Sequence, residues 1–332
     1  MAAISVLYPT LGDLAKTRTP GLENALPIIN LLDKRHGIHA NLPQLEANGV
    51  LSHRASVVTG LPTSSVRLIN QGVASTTGSH EQIQFDLCLI KTVAEIDNEY
   101  LKIAGDKGAE IGKRLMLHFE SARQKWSSLA WYGVYSDGMA GLSSLYSDPT
   151  ATNGRNVIDA GGTDASDNAS IWLFNAGPGV SIRYPRGSAA GIIRDGGGYV
   201  WSESLGGTAG NKGVVYREEV GIAGAPVVED WRDVVRVGSI DMSALAAQTN
   251  DADLLSLSGD ALSCLDGQQT HRRFFVMNAR VWRYLQKQRD AKNVAGGGVT
   301  MQNVDGFEGL MPMLHNIPVV IDDNLLNTEA AV

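Results

Sequence analysis

The chain has 332 residues, of which 43% are apolar and 19% charged, and its formal net charge is −7. The length allows about two domains of about 100–200 residues, and the apolar content excludes wholesale disorder because it offers enough hydrophobic surface to offset chain entropy. The acidic balance argues against a protein that grips nucleic acid through its overall charge, since that requires a positive surface that displaces phosphate counterions.

The first segment predicts an arm that ends in one short helix. Residues 1 to about 35 are of mixed polarity and contain Pro9 and Pro20. Near the end of the segment the apolar residues follow a helical spacing, which Pro27 limits or kinks. The apolar residues of this pattern are Leu22, Ala25, Leu26, Ile29 and Leu32.

The next segment predicts a long β-hairpin with a polar tip, ASTTGSHE, at residues 74–81. In its second strand the apolar residues alternate with a period of two, which is typical of a half-buried strand. These residues are Ile83, Phe85, Leu87 and Leu89. A two-stranded hairpin is marginally stable alone in water, so we expect this one to rest on something else.

A long helix is predicted from Asp106 to about Tyr132, where apolar residues recur at three- and four-residue steps and Gly133 supplies the stop. At 1.5 Å per residue it would run about 40 Å. The following residues, 134–167, are rich in Gly, Ser, Asp and Asn and predict a loop too polar to hold a core of its own.

The rest of the chain predicts a sheet followed by an α/β unit. Strand-like pieces between residues 168 and 242 indicate an antiparallel meander with glycine turns. The last ninety or so residues then alternate between helix and strand. They predict a helix at 251–265, a strand at 273–278, a helix at 279–292 with Asn278 as N-cap, and a strand at 316–323.

Two glycine-rich stretches fail as nucleotide-binding loops because of their spacing. Three residues separate Gly108 from Gly112, and Arg114 follows Lys113, whereas a phosphate loop needs four residues and then Ser or Thr after the lysine. The second stretch also lacks the dinucleotide-binding pattern. It comprises Gly206, Gly207, Gly210, Lys212 and Gly213. We interpret the first stretch as a helix start and the second as a loop.

Candidate metal ligands are also weakly supported. His36 and His39, with Asp33 nearby, could bind a metal, but no histidine or cysteine pair recurs at ligand spacing downstream. A second group could offer oxygens to calcium, yet it lacks the glycine and the distal glutamate of an EF-hand. That group is Asp164, Asp167 and Asn168. A solvated polar loop is the favoured interpretation of the second group.

The two cysteines, Cys88 and Cys264, have no CxxC or metal-ligand spacing. A disulfide scaffold is therefore excluded, a reducing cytoplasm is favoured, and both thiols are interpreted as structural. Four aromatic residues could form a stacking surface for bases, but packing is favoured because most lie in strand or helix context. They are Trp201, Trp231, Trp282 and Tyr284. We assign no catalytic, cofactor-binding or metal-binding residue and expect no cofactor.

Membrane insertion and export are not expected either. No apolar run approaches the roughly 18–20 residues that span a bilayer. The N-terminal sequence MAAISVLYPTLGDLAK lacks the basic start and the apolar stretch of a signal peptide.

The arm, the hairpin and the long helix together resemble a tailed-phage major capsid protein of the Hong Kong 97 fold. The closing segment RFFVMNARVWRYLQKQ…NIPVVIDDNLLNTE resembles the axial domain of that family. The stretch SIWLFNAGPGVSIRYPRGSAAGI, followed by VVEDWRDVVRVGSID, is similar to the podophage subgroup of the Bordetella-phage type. The resemblance implies an α+β fold whose strand order is rearranged, because strands of the peripheral domain precede the axial domain.

The resemblance also implies a division of the chain into five parts. They are an N-terminal arm (1–38), an extended hairpin or E-loop (39–95), a peripheral domain with the spine helix (96–133 and 168–242), a loop insertion (134–167) and an axial domain (243–332).

The function implied by the resemblance is that of a non-enzymatic shell protein. It would self-assemble into pentamers and hexamers of an icosahedral head that encloses double-stranded DNA without sequence-specific binding. It would be found in the virion and be assembled in the host bacterial cytoplasm. Its partners would be copies of itself, a separate scaffolding protein and a portal. The separate scaffolding protein is expected because the arm begins at Met1. A cement protein is left open, and the Lys–Asn crosslink of the family's founding member is not carried over to this chain.

Two other functions stay open at the level of sequence. One is an encapsulin-like nanocompartment shell of the same fold that holds enzymes instead of a genome. The other is an α+β enzyme whose site residues are dispersed in the sequence and meet only in space.

Overall fold

The structure, a computed structural model, describes residues 34–104, 106–187, 191–203, 210–248, 252–265, 272–291, 299–303 and 310–332. The predicted helix at residues 22–32 and most of the predicted arm lie outside these ranges, as do Asp33, Gly206 and Gly207. Within the described ranges, no helix is both long enough and apolar enough to cross a membrane.

The described α-helices are α1 (Gly37–Asn41), α2 (Asn98–Ile103), α3 (Lys107–Tyr132), α4 (Leu142–Leu145), α5 (Met242–Ala247), α6 (Leu254–Cys264) and α7 (Ala279–Ala291). The described strands are β1 (Gln44–Glu46), β2 (Ser52–Gly60), β3 (Ser79–Asp86), β4 (Cys88–Asp97), β5 (Val157–Asp159), β6 (Asn168–Ala176), β7 (Val180–Tyr184), β8 (Ile192–Ser202), β9 (Gly213–Val228), β10 (Val234–Asp241), β11 (Arg272–Met277), β12 (Val299–Asn303), β13 (Leu310–Leu314) and β14 (Ile317–Ile321).

The long helix α3 is confirmed, and local chemistry sets both of its ends. The Asp106 carboxylate accepts a hydrogen bond from the backbone N–H of Ala109 at 3.1 Å, which satisfies one of the free donors of the first turn. At the other end the chain turns away at Gly133. A Cβ there would lie 2.8 Å from the carbonyl oxygen of Met139, so the close approach of the following loop requires glycine.

Strand β9 organises a five-stranded sheet. One edge of β9 pairs with β4, the other pairs with β8 and then β7, and β1 joins β7 in parallel. Helix α3 covers this sheet, and its Leu115 packs against Ala94 of β4 and Val220 of β9. The strands approach closely at Gly221, where a Cβ would collide with the carbonyl oxygen of Ile90.

The second sheet has seven strands in the order β12-β13-β14-β11-β6-β10-β5. Its interior strand β6 is buried at every position, as expected for an apolar run covered on both faces. On one face Trp172 and Phe174 pack with Trp131 from the end of α3. On the other face Ile171 and Leu173 belong to a cluster completed by α6 and α7.

The predicted antiparallel meander is wrong. Strands β7, β8 and β9 lie in the five-stranded sheet, whereas β6 and β10 pair with each other in the seven-stranded sheet, beside β11 and β14. Strand periodicity reports which face is buried but not which strand lies alongside, so it could not separate the two sheets. The five-part division of the chain stays a prediction.

The predicted α/β unit near the C-terminus is confirmed by α6, β11, α7 and β14. The Asn278 side chain accepts a hydrogen bond from the N–H of Arg280 at 2.9 Å, so it caps α7 as predicted. The strands β12 and β13 were not predicted.

The hairpin is confirmed, but its second strand is interrupted. β2 and β3 pair from Ser52 opposite Asp86 to Gly60 opposite Ser79, and then β4 leaves the hairpin and enters the five-stranded sheet. The predicted half-buried face is therefore wrong at Ile83, which is 38% exposed, and again beyond Leu87. Cys88 is 6% exposed while Leu89 is 51% exposed, because the chain changes sheet at Leu87 and its buried face changes phase.

The polar segment 134–167 takes part in the main core. Met139, Leu142 and Tyr146 are at most 1% exposed and pack in the cluster that contains Trp131 and Trp172. The segment also supplies β5, which pairs in parallel with β10. Its average composition concealed these few apolar residues, which complete a core built mainly by other elements.

Candidate assembly surface

The hairpin tip, residues 61–78, is the largest exposed irregular segment among the described residues. Every residue in it is exposed. It nevertheless carries several large apolar side chains, which makes it a candidate surface for contact with another molecule. Their exposed fractions are 86% for Leu61, 91% for Val66, 60% for Leu68, 93% for Ile69 and 51% for Val73.

The sequence pattern predicts a polar tip at residues 74–81. In the structure Ser79, His80 and Glu81 belong to β3, and the apolar part of the tip comes from residues 61–73. These apolar residues are scattered among polar ones without a period, so no strand or helix pattern indicated them.

The tip makes hydrogen bonds to itself. Arg67 Nε donates to the carbonyl of Gln71 at 2.8 Å, and Thr76 Oγ1 donates to the carbonyl of Thr63 at 3.0 Å. These bonds fix the local shape of the tip but do not cover its apolar side chains.

The base of the hairpin is anchored to the five-stranded sheet. His53 Nε2 lies 3.0 Å from Glu229 Oε1, and Arg183 Nη2 of β7 donates to the same oxygen at 2.7 Å. At the foot of the hairpin, the N–H of Leu87 donates to the carbonyl of Leu51 at 3.0 Å and joins the two chain segments of the hairpin. The hairpin therefore projects from a fixed base while its tip is free to contact another molecule.

His36, which the sequence disfavours as a metal ligand, takes part in a buried hydrogen-bond array. Its Nδ1 lies 2.8 Å from Ser127 Oγ, and its Nε2 lies 3.1 Å from Glu120 Oε1, so all three residues form a chain of hydrogen bonds. A serine, a histidine and a carboxylate in this order resemble a hydrolase triad. Here Ser127 is 3% exposed and His36 is 5% exposed, so a substrate cannot reach the hydroxyl. The array fixes the N-terminal part of the chain to α3.

No sequence motif indicates this array, because its members lie far apart in the chain. Burial raises the pKa of the Glu120 carboxyl, but hydrogen bonds from Gln124 and His36 outweigh that effect and hold the pKa below its usual value. Glu120 is thus a stable acceptor. The second histidine, His39, packs edge-on against Trp126 with ring centroids 5.3 Å apart.

Asp164 and Asp167, for which the sequence favours a solvated loop over a calcium site, lie near each other and near Asp241, with one oxygen of each within 4.8 Å of the others. Asp241 is already used as the N-cap of α5, where hydrogen bonds from the Ala244 N–H and from Ser243 lower its pKa. Asn168 donates to the carbonyl of Asp164. Helix capping and loop closure account for the cluster, and we assign no metal to it.

The predicted glycine-rich helix start is confirmed: Gly108, Gly112 and Lys113 all lie in α3. Gly210 and Lys212 lie just before β9, which begins at Gly213. These residues thus provide a helix start and part of a loop.

The thiol of Cys88 is buried, which raises its pKa, and Cys264 is half-buried in α6. Trp231, Trp282 and Tyr284 pack in the two main apolar clusters, as predicted. Trp201 is the exception, because it lies on β8 with 63% of its surface exposed.

Comparison with solved structures gives the fold. The chain superimposes on the structure of bacteriophage Epsilon15 with a TM-score of 0.76 at 21% identity, over 100% of this chain and 99% of that chain. The bacteriophage JBD30 capsid matches with a TM-score of 0.46 at 11% identity, over 92% of each chain. An encapsulin from Synechococcus elongatus matches with a TM-score of 0.45 at 9% identity, over 70% of this chain and 96% of that chain.

The likeness to Epsilon15 confirms the predicted capsid-type α+β fold. No curated protein matches the chain. A family model described as major capsid protein GP7 matches residues 22–332, which is nearly the whole sequence and includes the hairpin, the spine helix and both sheets. The chain belongs to the major capsid protein GP7 family.

Proposed function

We propose that this major capsid protein forms pentamers and hexamers of an icosahedral phage head that encloses double-stranded DNA. The observation that carries the proposal is the hairpin tip, whose apolar side chains are exposed on a projecting two-stranded hairpin. A neighbouring subunit offers a surface on which they can be buried.

The size of this contact suits reversible assembly. Burying Val66 or Ile69 completely contributes about 1.5–3 kcal/mol each, and part of that gain is offset by the cost of ordering the tip and the partner. A closed shell then arises from many repeated contacts of modest strength, which allow a misplaced subunit to dissociate.

The charge of the chain supports a container rather than a DNA-binding protein. With a formal net charge of −7 the subunit repels phosphates on average, so small cations would neutralise most of the packaged DNA. We propose that the enclosed DNA is held without sequence-specific contacts.

The remaining parts of the proposal rest on the family resemblance. A separate scaffolding protein and a portal are expected partners, a cement protein is left open, and the virion is assembled in the host bacterial cytoplasm. The podophage subgroup, its rearranged strand order and the division into arm, E-loop, peripheral and axial domains also belong to this proposal.

Electron microscopy of the purified chain, alone and co-expressed with the products of neighbouring genes, tests the proposal. Closed angular particles are expected on co-expression, and particles isolated from infected cells are expected to contain nuclease-resistant DNA. Particles that hold only protein cargo would favour the encapsulin alternative, and small separate particles under every condition would overturn the shell proposal.

Two matched variants test the role of the tip. V66D/I69D places two charges on the apolar part of the tip, while S64D/S65D adds the same charge at exposed polar positions nearby. We expect V66D/I69D to prevent particle formation without changing the urea midpoint of the subunit, whereas S64D/S65D still assembles. Equal assembly of both variants would contradict the role given to the tip.

A further inference from the structure

Helix α3 exposes two large apolar side chains beside a groove. Met116 is 75% exposed and Leu117 is 47% exposed. They border a groove of about 620 Å³ whose lining includes Leu115, Phe119 and, from the adjoining sheet, Val220. Among the described residues no segment covers these side chains, so the groove offers an apolar surface to a further segment.

The described chain begins at one end of this groove. Lys34 N–H donates to Glu120 Oε1 at 3.5 Å, and Glu120 itself lines the groove. The next residue is held firmly, because the Arg35 guanidinium donates to both carboxylate oxygens of Asp323 at 2.9 Å. The residues before Lys34 therefore leave from a fixed point beside the groove.

The preceding residues have the length and the pattern to fill it. Gly112 and Arg123 both line the groove, and the part of α3 between them is about 16 Å long at 1.5 Å per residue. Residues 21–33, called here the N-terminal segment, would span about 20 Å as a helix and about 40 Å if extended. Either conformation reaches along the groove. The larger apolar side chains of the segment are Leu22, Leu26, Ile28, Ile29, Leu31 and Leu32.

The charges of the segment and the groove are of opposite sign. The N-terminal segment contains Glu23 and Asp33 and no basic residue. Lys113, Arg123 and Arg194 line the groove, and each already forms an ion pair within the chain, with Glu110, Glu120 and Glu218 respectively. The apolar side chains therefore supply most of the gain from docking.

We propose that residues 21–33 dock in the α3 groove of the same subunit and cover Met116 and Leu117. The short connection to Lys34 makes this an intramolecular contact with a high effective concentration. The docking requires no neighbouring subunit, so it holds for the chain before assembly and leaves residues 1–20 available for other contacts.

Peroxide oxidation of methionine tests the proposal on the full-length chain, because thioether oxidation follows exposure. We expect Met116 to be oxidised several times more slowly in the wild type than in L26D/I29D, as measured by peptide mass spectrometry. V66D/I69D, changed only at the hairpin tip, is the matched control and leaves the Met116 rate unaltered. Met139, which is 0% exposed, reports folding and stays slow in all three proteins. Equal Met116 rates in the wild type and L26D/I29D would overturn the proposal.

A disulfide provides a second test that does not use the charged variants. Lys34 and Glu120 are in contact and serve as the common reference point. In a helical segment, Ile29 would lie about 7.5 Å along the axis from Lys34, and Met116 lies about 6 Å along α3 from Glu120. The two side chains would therefore lie side by side along the groove. In a C264S background, I29C/M116C is expected to form an intramolecular crosslink, and I29C/S128C, beyond the end of the groove, is the control without one. A crosslink between chains would assign the groove to a neighbour's segment, and no crosslink would leave it unfilled; either result overturns the proposal.

Discussion

Replacing Glu329 by alanine is expected to destabilise the subunit more than any exposed ion-pair change. The carboxylate joins three elements: it accepts from Tyr132 Oη of α3 at 2.6 Å, from Arg236 Nη2 of β10 at 2.8 Å, and from Ser170 Oγ of β6. Burial and the nearby Glu329 carboxylate raise the pKa of Tyr132, so the phenol stays a donor. Glu329 therefore fastens the C-terminal segment to both the spine helix and the seven-stranded sheet.

The magnitude follows from the burial of the pair. The side chains of Arg236 and Glu329 are 6% and 4% exposed, and removing one partner of a buried pair costs about 3–5 kcal/mol because the other charge is left unpaired. Arg236 keeps its hydrogen bond to the carbonyl of Tyr146 at 2.8 Å, which places the expected loss near the lower end, about 3 kcal/mol. Glu329→Gln keeps the shape of the side chain, but its NH2 faces a donor in place of one carboxylate oxygen and the Arg236 charge is left unpaired, so a loss of about 3 kcal/mol is expected here too.

Urea unfolding of the unassembled subunit, followed by tryptophan fluorescence, measures these changes. Glu99→Ala is the control, since Glu99 pairs with Lys102 at 2.6 Å with both side chains more than half exposed, and should cost at most about 1 kcal/mol. R236M/E329L removes both charges and should be more stable than Glu329→Ala alone. Equal losses in Glu329→Ala and Glu99→Ala would refute the reasoning.

Two further predictions concern close packing and pH. Gly221→Ala is expected to lower the free energy of unfolding by about 1–3 kcal/mol, because its Cβ meets the Ile90 carbonyl. Gly259→Ala, in open space within α6, is expected to raise it by about 0.5–1 kcal/mol. Urea midpoints of the two variants that move in the same direction would contradict this. Burial, with help from nearby positive charge, lowers the pKa of His39 to about 4. As the pH falls, His39 is protonated in the unfolded chain at a higher pH than in the folded chain. The free energy of unfolding therefore falls by about 3 kcal/mol between about pH 6.5 and about pH 4. His39→Phe keeps the edge contact with Trp126 and should lose that part of the pH dependence. The measurement is the difference in the free energy of unfolding between about pH 7.5 and about pH 4.5. If that difference is the same in the wild type and in His39→Phe, the assignment to His39 is contradicted.

The candidate surface was predictable only in outline. The sequence indicated a hairpin with a tip, but it predicted a polar tip at residues 74–81. In the structure the tip is residues 61–78 and carries exposed apolar side chains. Val66 and Ile69 are exposed because no element among the described residues covers them, and local composition does not record which elements lie nearby in space. The Ser127–His36–Glu120 array was invisible for the same reason, since its members meet only when the N-terminal part of the chain packs against α3.

The sequence by itself determined the elements whose causes are local. Helix α3 lies between a capping aspartate and a glycine, α7 begins after Asn278, and the strands β11 and β14 follow their apolar runs, because capping and periodicity act within a few residues. Only the tertiary structure decided which strands share a sheet, where the buried face changes phase at Leu87, and how Met139 completes the core. Those outcomes depend on contacts between residues far apart in the chain, whose pairing is selected by the packing of the whole molecule.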